Sequence, residues 1–309
     1  ELTTQVDGTL DSGLVDVGYH HTDYPGTVIE SLYVAPDGSD TENTGLTADS
    51  PFRTISHALA ISQDGTQIFI APGQYDTASG ESFPLYLEGR QSIGLRGTGS
   101  GVVIDALGAQ SRVFQIKQCG NLILEGLTVA NGYPGSSTTV YGGGLWAFGT
   151  GGLELTDCTF INNTVTATDY AYGAGIALQD CVATLDGCLF IGNEVYNSNR
   201  GHGAGLAFVD CGSCDVNTTI ISNNVIEAGG WQNGAGFYHA TGVARLRNCL
   251  IAGNWVAKAG YPGGLQIDSG TVTCESCTVT DNRDIGIRGT CTLINCIVWN
   301  NVTEISGTI

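Results

Sequence analysis

Two consecutive stretches of the chain decide the fold: YGAGIALQDCVATLDGCLFIGN, residues 172–193, and HGAGLAFVDCGSCDVNTTIISN, residues 202–223. Each carries a Gly-Ala-Gly motif followed by an apolar residue, and each ends at an asparagine. Related motifs place that apolar residue, in steps of 31, 30, 31, 28 and 22, at Leu145, Ile176, Leu206, Phe237, Leu265 and Ile287. A sustained period of this size is typical of a solenoid, in which each repeat forms one coil.

Within each repeat, apolar and polar residues alternate over short segments, as at Leu153 and Leu155 and again at Cys158 and Phe160. Period-two alternation indicates strands, and turns rich in Gly, Asn and Asp separate them. Three short strands per repeat without helical periodicity predict an all-β right-handed parallel β-helix. Like residues then stack on like at the strand spacing of about 4.8 Å.

An asparagine ends the second apolar motif of every repeat. A tight left-handed turn tolerates asparagine, and its amide can bond to the next coil. We therefore predict a structural ladder formed by Asn163, Asn193, Asn223, Asn254, Asn282 and Asn301.

The region before the repeats has a different pattern. A strand that begins at Leu32 precedes SPFRTISHALA, residues 50–60, and DGTQIFIAPGQY, residues 64–75. Thr54 to Ile61 is amphipathic, and we expect it to form a short helix that caps the open end of the β-helix, where core and strand edges would otherwise be exposed.

This order of segments resembles the start of bacterial and archaeal β-helix proteins of the pectin-lyase-like superfamily. The Gly-Gly-x-Leu/Ile and Phe-x-x-Asn pairing is similar to repeats of the polymorphic outer-membrane adhesins. The resemblance covers residues 31–301 and implies the fold. It does not select a function, because this superfamily includes lyases, hydrolases, adhesins and structural fibres.

The chain divides into three predicted parts. Residues 1–30 resemble the tail of a preceding module, residues 31–75 form the start and the capping helix, and residues 76–309 form coils with an open C-terminal end. We hypothesise that the end around residues 302–309 meets residues 1–18 of a neighbouring module, which would generate head-to-tail filaments. The alternative is a trimmed piece of a longer chain.

Charge narrows the range of partners. Eleven Lys and Arg against 30 Asp and Glu give a net charge of −19. Nucleic acid and anionic membrane surfaces would repel such a chain, and no apolar stretch is long enough to insert into a bilayer. The composition favours a secreted or cell-surface protein.

The sequence shows no catalytic constellation. On the strand after the Gly pairs, the outward positions include one carboxylate, Asp268, and one arginine, Arg288. Glycoside hydrolysis needs paired carboxylates, and a lyase needs a base beside a cation. We therefore predict no catalytic residues and no cofactor. Four aspartates are weak candidates for binding calcium: Asp37, Asp40, Asp180 and Asp210. The alternative is that these residues only form turns.

The 11 cysteines and three sequons leave further alternatives open. Cys181 and Cys211 share a repeat position, so they could form a disulfide in an oxidising compartment or remain buried thiols. Asn-x-Thr sequons that would accept a glycan begin at Asn162, Asn217 and Asn301.

Aromatic residues recur on the loops after each asparagine and predict a contact surface along one edge. They are Tyr133, Tyr141, Tyr170, Tyr172, Tyr196, Trp231, Trp255 and Tyr261. Such residues suit protein contacts or sugar stacking, although they could also fold back over their own coil. We expect a self-associating structural or adhesive module with a carbohydrate or cell-surface ligand. The alternatives are a polysaccharide lyase or glycoside hydrolase and a non-catalytic carbohydrate-binding module.

Overall fold

The computed structural model describes residues 28–135, 137–196 and 199–308. These residues form a right-handed parallel β-helix, which confirms the predicted fold. Residues 1–27, which make up most of the predicted N-terminal extension, lie outside the described residues.

Three long sheets form the walls of the β-helix, and each coil passes from sheet III to sheet I and then to sheet II. Sheet I contains β1 (Ser31–Val34), β2 (Gln67–Ile70), β5 (Gly94–Gly97), β8 (Gly120–Glu125), β12 (Gly151–Thr156), β17 (Val182–Asp186), β22 (Cys211–Asn217), β27 (Gly242–Arg247), β31 (Thr271–Glu275) and β34 (Thr292–Ile294). Sheet II contains β3 (Gly73–Asp76), β6 (Val102–Asp105), β9 (Thr128–Ala130), β13 (Thr159–Ile161), β18 (Leu189–Ile191), β23 (Ile220–Ser222), β28 (Leu250–Ala252), β32 (Thr278–Thr280) and β35 (Ile297–Trp299). Sheet III contains β4 (Leu85–Glu88), β7 (Phe114–Lys117), β11 (Leu145–Phe148), β16 (Ile176–Gln179), β21 (Leu206–Val209), β26 (Phe237–His239), β30 (Pro262–Ile267), β33 (Ile285–Thr290) and β36 (Thr303–Thr308).

The longer coils make a sideways excursion between sheets II and III. Sheet IV contains the outgoing strands β14 (Thr164–Thr166), β19 (Glu194–Tyr196), β24 (Val225–Glu227) and β29 (Trp255–Val256). Sheet V contains β10 (Thr139–Tyr141), β15 (Tyr170–Tyr172), β20 (Arg200–His202) and β25 (Gln232–Asn233). We call sheets IV and V the lateral sheet pair. The sequence predicts loops here, but their residues pair in parallel register from coil to coil.

Two separate apolar clusters stabilise the part of the chain that the structure describes. The main core fills the space between sheets I, II and III, and in it the rings of Phe160 and Phe190 stack with centroids 5.2 Å apart. The second cluster lies within the lateral sheet pair and consists mainly of alanine and valine, among them Val165, Ala171 and Val195.

Helix α1 (Ile55–Ile61) closes one end of the main core. Thr54 is its N-cap and accepts a hydrogen bond from the His57 backbone N–H at 3.1 Å. The Asp40 carboxylate accepts hydrogen bonds from the backbone N–H groups of Arg53 and Thr54. The residues that α1 buries in the main core are Ile55, Ala58 and Leu59. The predicted cap is thereby confirmed; no helix in the described ranges has the length and hydropathy needed to cross a membrane.

An asparagine ladder runs along the inside of the turn after sheet II. The side-chain oxygen of Asn193 accepts hydrogen bonds from the backbone N–H (3.1 Å) and Nδ2 (3.0 Å) of Asn163. The Nδ2 of Asn193 donates to the Phe160 carbonyl at 2.9 Å. The same pattern continues to Asn301. The buried amides therefore form hydrogen bonds with one another and with backbone groups at the strand ends, as predicted.

One rung of the predicted ladder is wrong. Asn224, not Asn223, bonds to Asn193 and Asn254 and is fully buried. A bulge in β22 between Cys211 and Ser213 inserts one residue, so every later position of this coil shifts by one. Asn223 is exposed at φ 55°, and the left-handed position therefore immediately precedes the ladder residue.

Candidate functional site

The outer face of sheet III combines aromatic and charged side chains. Strand register places Lys117 beside Phe148 on one side and beside Glu88 on the other. A surface depression of ≈ 390 Å³ opens here, lined by Glu88, Lys117, Gln118, Trp146, Phe148 and Gln179. We call it the Trp146 depression.

Two cations flank the Trp146 ring. The Arg112 guanidinium carbon lies 4.9 Å from the ring centroid, and Lys117 Nζ lies 5.3 Å from it. Arg112 donates to neutral acceptors, the Gly142 carbonyl and the Gln115 side chain. Burial lowers the pKa of Arg112 to about 10, so it remains charged at neutral pH.

Glu88 and Asp268 are two carboxylates at distant points of the same face. Glu88 accepts a hydrogen bond from the Tyr86 hydroxyl, which raises the pKa of Tyr86. Asp268 accepts from the Tyr238 hydroxyl and from Gln266 Nε2, both at 2.7 Å. Six strand spacings separate β4 from β30, so Glu88 and Asp268 are about 29 Å apart. Glycosidase pairs are separated by about 5 to 9.5 Å, so these two residues cannot act together.

A row of stacked rings joins sheet V to sheet III. Tyr141 stacks on Trp146 (5.9 Å between centroids) and on Tyr172 (4.9 Å), and Tyr172 stacks on His202 (4.7 Å). His202 packs against Tyr238 at 4.5 Å. His202 is buried, and burial lowers its pKa to about 4, so the ring is neutral at pH 7.

The predicted aromatic residues do not form one uniform surface. Tyr141 and Tyr172 belong to the stacked row and are partly covered, as the fold-back alternative expected. Tyr170 and Trp231 flank Arg200 on sheet V, and Arg283 lies over Trp255.

The other three predicted aromatic residues differ in how exposed their side chains are. Tyr261 packs against the second cluster, whereas Tyr133 and Tyr196 are 37% and 48% exposed.

The calcium candidates occupy turns. Asp180 and Asp210 lie at left-handed φ of 54° and 55° at the corner after sheet III, and both are exposed. The Asp40 carboxylate accepts hydrogen bonds from backbone N–H groups just before α1. Asp37 lies in the turn that precedes Asp40. In the described ranges, no three or more His, Cys, Asp or Glu side chains are grouped to hold a metal ion.

All 11 cysteines lie within the described ranges, and all are free thiols. Burial raises the pKa values of Cys158, Cys181 and Cys188 to about 12, which suppresses thiolate chemistry. Cys181 and Cys211 are both buried and unpaired, so this structure does not contain the Cys181–Cys211 bond, and the disulfide stays a prediction.

The three sequons are not equivalent. Asn162 is exposed at a left-handed turn, and Asn217 is partly exposed on β22. Asn301 is 8% exposed, and its Nδ2 donates to the Val279 carbonyl and to Glu304. The Asn301 amide is therefore engaged in the folded coil, and glycosylation at the three sequons stays a prediction.

Sequence reasoning missed Glu88, Lys117, Arg112 and His202. The repeat itself could have revealed three of them. His202 lies one coil after Tyr172, Lys117 lies one coil before Phe148, and Glu88 pairs with Lys117. Arg112 lies outside the strands, and only the three-dimensional structure brings it to Trp146.

Comparisons with known proteins address the fold. A family model described as "Protein of unknown function (DUF1565)" matches residues 37–273. Pectate lyase Pel9A is similar in structure, with 13% identity, a TM-score of 0.46 and coverage of 89% of this chain and 80% of that one. A rhamnogalacturonan lyase is 16% identical, with a TM-score of 0.39 and coverage of 88% of this chain and 87% of that one. The GH136 lacto-N-biosidase from Eubacterium ramulus is 11% identical, with a TM-score of 0.38 and coverage of 91% of this chain and 68% of that one. At these values the likeness says nothing about substrate or activity. No curated protein sequence matches the chain.

Proposed function

Since this chain belongs to the DUF1565 family, whose description states no activity, we propose that it is an adhesive module that binds acidic saccharides at the Trp146 depression without cleaving them. The observation that carries the proposal is the pair of cations, Arg112 and Lys117, beside one tryptophan in a chain of net charge −19.

These cations are available to an anionic ligand. Within the described ranges, neither Arg112 nor Lys117 has a carboxylate oxygen within the 4.0 Å that defines an ion pair, although Glu88 is the strand neighbour of Lys117. A chain with nearly three times as many acids as bases could easily neutralise two half-buried cations. The lack of a carboxylate partner at either cation therefore favours a carboxylate or sulfate supplied by a ligand.

Four of the other lining residues suit a sugar. Trp146 and Phe148 offer apolar surface for the C–H face of a pyranose ring, and Gln118 and Gln179 offer amide donors and acceptors for hydroxyl groups. Apolar rings with a few polar groups are the usual composition of a small-ligand site. Glu88 and Asp268 are too far apart to act as a hydrolytic pair.

Calorimetry tests the proposal with a uronate oligosaccharide and its neutral counterpart. We expect binding of the uronate alone, weakened by salt, and about tenfold weaker binding by Lys117→Gln. Arg245→Gln is the matched control, because it removes a cation from the outer face of sheet I, where Arg245 lies 3.9 Å from Asp215. Equal affinity for the neutral sugar would contradict the anionic ligand, and release of new reducing ends by the wild type would contradict the absence of cleavage.

We propose self-association and a secreted or cell-surface location alongside this binding role. Self-association is supported by the exposure of three neighbouring apolar residues, Ile297 (60%), Trp299 (69%) and Val302 (81%). The expected partner segment, residues 1–18, lies outside the described residues. Light scattering of the wild type and Trp299→Ser, with and without calcium, tests the idea: monomers at high concentration in both would contradict it.

A further inference from the structure

Sheet V carries a further cation, Arg200, which lies between aromatic rings and away from the Trp146 depression. Tyr170 and Arg200 are register partners on β15 and β20, and Trp231 precedes β25 on the next coil. The Arg200 guanidinium carbon lies 4.6 Å from the Tyr170 ring centroid and 5.4 Å from that of Trp231. We call these three residues the Arg200 ladder.

The guanidinium of Arg200 has few partners of its own. Its nearest carboxylate oxygen, Asp169 Oδ1, is 4.0 Å from Nε, which is too far for a hydrogen bond. That oxygen already accepts from Asn199 Nδ2 at 3.1 Å. The Arg200 side chain is 35% exposed. The two rings restrict its motion, so little entropy remains to be lost when its donors bind a ligand.

Trp231 is more exposed than the fold requires. Its exposed fraction is 58%, and it belongs to neither apolar cluster. An exposed indole beside a restrained guanidinium provides two recognition elements: a flat surface for an apolar ring face and a planar fork that can bind a carboxylate through two parallel hydrogen bonds.

We infer that the Arg200 ladder is a second acidic-saccharide site, which makes the protein bivalent. The ligand class rests on the proposed function, whereas the site itself rests on Tyr170, Arg200 and Trp231. The stacked row connects the two sites: Tyr170 is 6.0 Å from Tyr172, which stacks on Tyr141 and through it on Trp146. Two binding points on one continuous surface increase the affinity for a long chain by raising its effective concentration at the second site.

Calorimetry with a short uronate oligosaccharide distinguishes the two sites. We expect two ligands per wild-type chain, with Arg200→Gln and Trp231→Ala each weakening one site about tenfold and Lys117→Gln weakening the other. Tyr196→Ala is the matched control, since it removes an exposed ring from sheet IV. Circular dichroism checks that each variant is folded. Because Arg200→Gln and Trp231→Ala alter the same site, one of them still tests it if the other fails to fold.

The outcomes separate the two proposals. Two ligands per chain, one lost with Arg200→Gln, establish the second site. One ligand per chain, lost with Lys117→Gln and unaffected by Arg200→Gln and Trp231→Ala, overturns the second site and leaves the proposed function intact. One ligand lost only with the Arg200 ladder variants overturns binding at the Trp146 depression. No binding of the uronate by the wild type overturns both.

Discussion

The main core and the lateral sheet pair are both stacks of parallel strands, yet they are stabilised differently. The main core is filled by large side chains such as Phe160 and Phe190, and a continuous asparagine ladder satisfies its buried turn. The lateral cluster consists mainly of alanine and valine, and its outer side carries the stacked row of rings that includes His202. Stability therefore resides mainly in the first region, and candidate ligand contacts concentrate on the second and along its seam with sheet III.

The largest expected contrast comes from truncating one buried side chain in each region. Phe190→Ala should lower the free energy of unfolding by about 4 kcal/mol, because it leaves a cavity beside Phe160. Val195→Ala in the lateral cluster should lower it by about 2 kcal/mol, because less apolar surface is lost. Urea unfolding measures both. Equal losses would mean that the two regions contribute alike.

The asparagine ladder provides the next test. Asn224→Ala should cost about 3 kcal/mol, because the backbone N–H and Nδ2 of Asn193 lose their shared acceptor within a buried turn. Asn223→Gly is the control: Asn223 is exposed at a positive φ that glycine adopts readily, and we expect a change below about 0.5 kcal/mol. If the glycine variant were the more damaged of the two, the assignment of the ladder to Asn224 would be wrong.

Acid should weaken the seam beside His202 by a smaller amount. Burial lowers the pKa of His202 from 6.5 to about 4, and the neighbouring charges are Asp268, which raises it, and Arg200, which lowers it. The unfolded chain therefore binds more protons between these values, so stability is complete above pH 6.5 and falls as pH decreases toward 4. From pH 7 to 5 the loss should be about 2 kcal/mol.

Hydrogen exchange should locate that acid-dependent loss at β15, β20 and β26. In His202→Gln the dependence should shrink but not vanish, because burial also lowers the pKa of His239. Uniform loss of protection across all sheets at pH 5 would contradict an effect confined to the seam.

The difference between the regions also explains what sequence could predict. Period-two strands, the capping helix from Thr54 and five of six ladder rungs follow from residue patterns that repeat in every coil. The repeat pattern places Asn223 on the ladder, because it conceals the residue that the bulge at Cys211 and Ser213 adds. The sequence predicts loops at the lateral strands because they are short and consist largely of small or aromatic residues. Arg112 reaches Trp146 through side-chain placement that periodicity does not encode.

The sideways excursion of the longer coils has a consequence for protein engineering. The step from Leu145 to Ile176 takes 31 residues and includes β14 and β15, whereas the step from Leu265 to Ile287 takes 22 and adds no strand to sheet IV or V. In sheet III, Leu145 pairs with Ile176 and Leu265 pairs with Ile287. The excursion is therefore an optional insert on a scaffold of constant pitch. A designer could shorten, transplant or randomise the lateral strands coil by coil, as a display surface, without altering the cross-section of the β-helix that carries them.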